Sequence, residues 1–166
     1  MELRIRPLPP FDFDLSARIF SDGDDRMQKY EAGAYRQALR LDGKLVLLTL
    51  RSMGTVDEPE IIANVASDSD LSEADARRAE EIISTVFNLQ LDLDRFYQSV
   101  AHDKTMARIT QRLRGLKSPS TPTVFESLID SIIEQQISLK AAHSLQRRLI
   151  EAFGDRLVSH QPFNVG

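Results

Sequence analysis

The 166-residue sequence contains no cysteine, which removes disulfides, thiolate nucleophiles, Cys-ligated zinc and iron–sulfur clusters from this stretch of chain. Glycine and proline, seven of each, are too few for a collagen-like or Pro/Gly-rich disordered polypeptide. No apolar run approaches the ~18 residues needed to span a bilayer. The opening fifteen residues, MELRIRPLPPFDFDL, hold neither an apolar h-region nor a small-residue cleavage site, so no secretory signal is expected. None of the glycines forms GxGxxG or a Walker loop, and a nucleotide cradle is absent. His102, His143 and His160 make no i,i+4 pair and no HExxH, so no metal is expected. No Gly-x-Ser-x-Gly elbow and no Ser/His/Asp grouping occurs. These absences predict a soluble, cytoplasmic, globular protein that needs no cofactor.

What is present is an uneven distribution of charge. The whole chain carries 21 Lys+Arg and 25 Asp+Glu, a net charge of −4. Residues 1–103 hold 12 basic and 20 acidic side chains, net −8, whereas residues 104–166 hold 9 and 5, net +4. From Lys104 to Thr123 the basic residues are Lys104, Arg108, Arg112, Arg114 and Lys117, with no acid among them. An acidic front and a basic rear predict two lobes, the second of which attracts a polyanion; a solvated helix face accounts for the same charges.

Patterning divides the chain at the same place. Ala34–Leu41 and Lys44–Arg51 flank Asp42-Gly43, the pair that a type I′ hairpin turn prefers because both central residues need positive φ. Tyr35, Ala38 and Leu41 do not alternate cleanly, which leaves the register open. Further strands are expected at 2–6, near 26–31 and at 60–67. Ser72 and Asp75 open a helix running to about Phe87, with Ala76, Ala79, Ile82, Ile83, Val86 and Phe87 at helical spacing. An antiparallel sheet with helices on one face follows, giving an α+β domain over 1–103. From about Leu93 the pattern reads helical, over 93–100 and 104–113. A connector rich in small polar residues and proline spans 115–122. Thr123 and Glu126 form a capping box for a helix through Phe125, Leu128, Ile129, Ile132 and Ile133. Gln135-Gln136-Ile137-Ser138 interrupts it. Ser138 then caps a last helix with Ala142, Leu145, Leu149, Ala152 and Phe153 on one face and Gly154 as its C′ stop.

Two acidic features have bland readings. Asp22, Asp24 and Asp25 lack the ligand order of an EF-hand and read as a solvated loop. Glu134, beside the Gln pair, is either a catalytic carboxylate or, more simply, a surface helix residue.

The segment 123–154, with Phe125, Glu126, Gln135, Gln136, Ile137, Ser138, Ala141, Ala142, Arg148, Leu149, Phe153 and Gly154 at matching positions, resembles the opening helices of the helix-hairpin-helix DNA glycosylases. It is most similar to the alkylation-repair branch, the 3-methyladenine DNA glycosylase II type. Pro9-Pro10-Phe11-Asp12-Phe13, Phe87–Gln90 and Gly115-Leu116 are similar to that branch at further places. The resemblance implies an N-terminal sheet related to a TATA-binding-protein repeat, followed over 104–166 by the first helices of an all-α glycosylase domain. It implies extrusion of a damaged purine from duplex DNA and hydrolysis of its N-glycosidic bond. Carried over by position, Gln136 fills the vacated place in the stack, its amide able to donate and accept. Gln135 and Ser138 support the turn, the Gln pair reading otherwise as a cap and bridge between two helices; Phe20, next to Ile19, supplies an aromatic wall for the base or, on the simpler reading, packs in the core.

The sequence departs from the family in one respect. The Leu-Pro-Gly-[Ile/Val]-Gly hairpin and the catalytic Asp after it are not among the 166 residues. The expectation is therefore an N-terminal portion that is inactive alone, with no catalytic residue of its own. Its apolar face at Leu145, Leu149 and Phe153 is expected to drive self-association or to leave the last helix mobile. From a different class, a non-enzymatic nucleic-acid-binding or interaction module would use the basic segment 104–117, with Arg108 and Arg112 on the DNA.

Overall fold

The computed structural model describes residues 1–21, 28–133, 135 and 137–155. Asp42 and Gly43 take the chain through positive φ, 45° and 91°, and so join strand β3 (Ala34–Leu41) to β4 (Lys44–Ser52) in a tight hairpin. Around this hairpin the sheet is completed by β1 (Glu2–Ile5), β2 (Gln28–Glu31) and β5 (Ile61–Ser67), in the order β1-β5-β4-β3-β2 with every pairing antiparallel. The helices are α1 (Phe13–Ala17), extended by a 3-10 turn over Arg18–Phe20, then α2 (Glu73–Val86), α3 (Asp94–Val100), α4 (Lys104–Arg112), α5 (Val124–Ile133) and α6 (Leu139–Phe153). The chain is therefore α+β, and every strand and helix expected from pattern has a counterpart. For the strand expected near 26–31, residues 26 and 27 lie outside the described residues. None of the described helices is long and apolar enough to cross a membrane.

The register settles the broken alternation of β3. Tyr35, Gln37, Leu39 and Leu41 pair with Leu50, Leu48, Val46 and Lys44 on one face of the sheet. Gln37 is the polar interruption in that face. It is buried and accepts the Tyr35 hydroxyl at 3.0 Å, which satisfies a polar group that would otherwise be costly in the core. Against the same face pack α1 and α2, bringing Phe13, Ala79, Ile83, Val86 and Phe87 onto Val46, Leu48, Leu50, Ala63 and Val65. Phe87 stands edge-on to Tyr35, with centroids 5.1 Å apart and planes at 89°, and burial of such a ring is worth about 2–3 kcal/mol.

One carboxylate ties the hairpin to α2. Ser72 Oγ accepts the Asp75 N–H at 3.3 Å, while the Asp75 carboxylate accepts the Ser72 N–H at 2.7 Å and its hydroxyl at 2.6 Å. This is the reciprocal capping box read from the sequence. The same oxygen receives Lys44 Nζ at 2.7 Å from the first residue of β4, and that ammonium also donates to Asp70 O at 3.0 Å. Lys44, followed by the Ser72 hydroxyl and N–H, holds the Asp75 carboxyl well below the usual carboxylate range. A depressed folded-state pKa contributes stability that is complete above the unfolded value of 3.8 and lost as pH falls toward the folded one. Asp75→Asn is therefore expected to lower Tm at pH 7 and to flatten the loss of stability between pH 4 and 2, with Ser72→Ala costing about 1 kcal/mol. Thermal unfolding across that range checks both; parallel acid limbs for wild type and Asp75→Asn would remove Asp75 from this role.

Candidate nucleic-acid interface

Between α4 and α5 the chain returns to the sheet half as a strap. Gly115 turns it with φ 84°, and a Cβ there would lie 2.6 Å from Asp12 N, so only glycine fits. Gly115 O accepts the Asp12 N–H at 2.8 Å, and Gly115 N donates to Tyr97 Oη at 2.9 Å. Arg114 forks onto the Asp57 carboxylate, Asn88 Nδ2 donates to Ser118 O at 2.6 Å, and Ser120 N donates to Val86 O at 2.7 Å. The connector expected from composition is thus hydrogen-bonded along most of its length.

Lys117 is the centre of this strap and is fully buried. Its N–H donates to Ser16 Oγ at 3.0 Å. Its Nζ donates to Leu8 O at 2.8 Å and Leu89 O at 2.9 Å, and stands 5.7 Å from the Phe11 ring centroid. Burial pushes the ammonium down to about 8, with Asp92 acting in the opposite direction. This corrects the basic segment read from the sequence. Lys117 belongs to the interior and Arg114 is engaged with Asp57, because both sit on a strap that packs against the sheet half. Lys104, Arg108 and Arg112 are the exposed remainder, at four-residue spacing along one face of α4.

The α5–α6 pair carries the other predicted residues. Thr123 Oγ1 accepts the Glu126 N–H at 3.1 Å and lies 3.2 Å from the Glu126 carboxylate. Ser138 caps α6 by accepting the Ala141 N–H at 3.3 Å. Gln135 is an exposed turn residue between the two helices, while Gln136 and Glu134 lie outside the described residues. Gln146 on α6 donates to Asp130 on α5 at 2.8 Å, and Ala142 is fully buried. The cap, the turn and the crossing together present Gln135 and Ser138 at the exposed end of a helix pair. At the other end Gly154 closes α6 in extended rather than left-handed conformation, with φ −78°. A Cβ there would fall 2.5 Å from Ile150 O, so it is close approach that calls for glycine.

The outward faces of these helices are apolar and uncovered. Val124, Phe125, Leu128 and Ile132 on α5 and Leu145, Leu149 and Phe153 on α6 are all exposed, Phe125 at 71% and Phe153 at 85%. Glu126 retains solvent contact, yet burial of its carboxyl raises its pKa, opposed by the Thr123 hydrogen bond and reinforced by Asp130.

Phe20 lies in the 3-10 turn after α1 and is half-buried. Its ring centroid is 4.9 Å from Tyr35 and 6.2 Å from Phe87, which makes it the outermost ring of the core cluster, while Ile19 beside it is 70% exposed. Burial, then the Glu126 charge, raises the Tyr35 phenol far above its ordinary value. Tyr35 packs on Phe20, a contact that no motif announced. The structure does not place Arg108 and Arg112 on the same helix pair as Gln135 and Ser138: α4 packs on α3, and α5 on α6. Among the described residues no group of three or more His, Asp or Glu is arranged to hold a metal ion. A shallow open groove on α2, lined by Arg77, Glu80, Glu81, Ser84 and Thr85, lacks the enclosure a small ligand needs.

No protein-family model matches the sequence. A Bacillus subtilis DNA-3-methyladenine glycosylase is 30% identical over 112 residues, which are 66% of this chain and 36% of that protein. A second B. subtilis protein, named provisionally as a DNA-3-methyladenine glycosylase, is 24% identical over 155 residues, or 92% of this chain and 51% of its own length. The structure of a 3-methyladenine DNA glycosylase from Archaeoglobus fulgidus superposes with a TM-score of 0.78 at 21% identity, covering 95% of this chain and 53% of that one. The chain thus spans between about a third and a half of the proteins it matches, and the archaeal structure speaks for the fold alone. In sequence the chain is similar to DNA-3-methyladenine glycosylases over part of their length, and its fold is shared with one of them.

Proposed function

We propose that these residues are the N-terminal portion of a base-excision-repair DNA N-glycosylase that flips and hydrolytically removes alkylated purines such as 3-methyladenine. The observation that carries this reading is a fold shared over 95% of the chain with a glycosylase, together with an exposed turn bearing Gln135 between two helices. In this reading residues 1–103 are the α+β domain, of the TATA-binding-protein type, and residues 104–166 begin the helix-hairpin-helix domain. Its partner is duplex DNA holding a damaged base, in the cytoplasm at the nucleoid. Gln136 enters the stack, Gln135 and Ser138 hold the turn, and Phe20 offers a ring edge toward the base. An alkylated purine carries positive charge and leaves readily, so the protein's task is to extrude it and to stabilise the sugar cation with a carboxylate. That carboxylate is assigned to an Asp following a Leu-Pro-Gly-x-Gly hairpin, outside these residues.

The exposed stripes on α5 and α6 support an incomplete helical lobe, because apolar surface on this scale seeks cover. The 166-residue chain is expected to self-associate, and Phe125→Ser with Leu128→Ser to shift it toward monomer. Sedimentation velocity over a hundredfold concentration range checks this. A wild-type chain that is monomeric throughout would mean that the lobe needs no cover.

The second reading, a nucleic-acid-binding module without enzymatic activity, is favoured by Lys104, Arg108 and Arg112 on one open face of α4. Both readings meet in one set of measurements on methylated duplex DNA. The 166-residue chain is expected to release no 3-methyladenine, and a form continued past Gly166 through such a hairpin and Asp to release it. Release by the 166 residues alone would contradict the placement of the carboxylate, and none from the longer form would end the glycosylase reading. If α4 is the DNA surface, Arg108→Ala with Arg112→Ala lowers the salt slope of duplex binding by about 2; an unchanged slope excludes α4.

A further inference from the structure

The C-terminal end of a helix carries partial negative charge, so a carboxylate is poorly placed there unless a cation faces it. Helix α6 has no basic residue in its last turn, yet Asp155 follows directly on its Gly154 stop. The cation comes from the sheet half. Arg40, near the end of β3, donates through Nε to Asp155 Oδ2 at 3.1 Å and through a second guanidinium nitrogen to the same oxygen. Its third nitrogen donates to Gly43 O at 2.7 Å, inside the β3–β4 turn. One planar group thus joins the hairpin tip to the end of α6, across 115 residues of sequence.

The place of this contact gives it its effect. The chain enters α5 from the strap, where Ser120 donates its N–H to Val86 O and its hydroxyl to Thr85 O at 2.9 Å, at the C-terminal end of α2. It leaves α6 at the hairpin tip, which Lys44 ties to Asp75 in the first turn of α2. The two attachments therefore lie toward opposite ends of α2, about 15 Å apart along its axis. A single attachment fixes where a helix pair sits and leaves it free to swing. A second one, well away from the first, fixes its direction. We propose that Arg40 is a positioning residue: with Asp155 it makes the second attachment, which sets the direction of the α5–α6 pair and with it the placement of the turn bearing Gln135 and Ser138. Both side chains are about half exposed, so the pair adds little to stability, and what it contributes is orientation. What that placement means for DNA rests on the glycosylase reading, whereas the geometry is measured without DNA, so the two fail separately.

The lack of cysteine allows paired spin labels at chosen sites. Labels on Asn64→Cys in β5 and His143→Cys in α6, both exposed positions, report the distance between sheet and helix pair by pulsed electron resonance. The labelled chain is diluted into unlabelled chain, so that only distances within one molecule are read. With Arg40 and Asp155 intact, one narrow distance is expected. Arg40→Glu loses it and gives a broad distribution, and Asp155→Arg does the same. The two together restore the narrow distance, because the ion pair is rebuilt in reverse. The thermal midpoint of Arg40→Glu stays within about 3 °C of the parent. A distance already broad in the intact chain, or a narrow one that survives Arg40→Glu, would overturn the proposal, as would a double variant as broad as the single ones. So would a larger fall in the midpoint, since Arg40 would then hold the hairpin rather than direct the helices.

Discussion

The inner face of the sheet is kept from water by segments that meet at a single buried cation. Leu8, Phe11, Ser16 and Leu89 all contact Lys117, and each belongs to chain that covers the sheet or leads into a covering helix. Hydrophobic burial supplies most of the stabilisation but no direction. Direction comes from the backbone carbonyls, which converge where one side chain can reach them. The arrangement is thermodynamically demanding, since an ammonium without a carboxylate partner must recover its hydration from dipoles alone.

Much of the fold was legible because its signals are local. Asp42-Gly43, the Ser72–Asp75 box, Thr123 with Glu126, and Ser138 each act within four residues, and the structure shows each making its turn or cap. Gln37 was harder. It breaks the β3 alternation, and only the pairing with β4 reveals that its amide is buried beneath Tyr35. Lys117 was not legible at all. A lysine among Gly, Ser and Pro residues reads as solvated, and its burial depends on partners up to 109 residues away in the chain. The same holds for Arg114, whose partner Asp57 lies 57 residues back.

The candidate interface shows the same division. Ser138 could be placed as a cap from sequence, and Gln135 as a turn residue between helices. Phe20 could be singled out only through the resemblance, and whether its ring faces core or solvent depends on Tyr35 and Phe87, which come from β3 and the end of α2. It does both in part. The apolar stripes of α5 and α6 were legible as stripes, and the uncovered face at Leu145, Leu149 and Phe153 was expected. The sequence match and the shared fold point to the same group of proteins.

The strand order also constrains how the chain acquires its shape in time. β3 and β4 meet across a two-residue turn, whereas β1 must find β5 across roughly sixty residues, a closure costing about 3 kcal/mol more in chain entropy. β1 has only four residues with which to offset it. By loop closure alone the central hairpin is the easier pairing to form, and β1 lies at the sheet edge with the longer closure. Until β5 is in place β1 has no partner in the sheet, and the side of Ile5 that the core buries stays open to water.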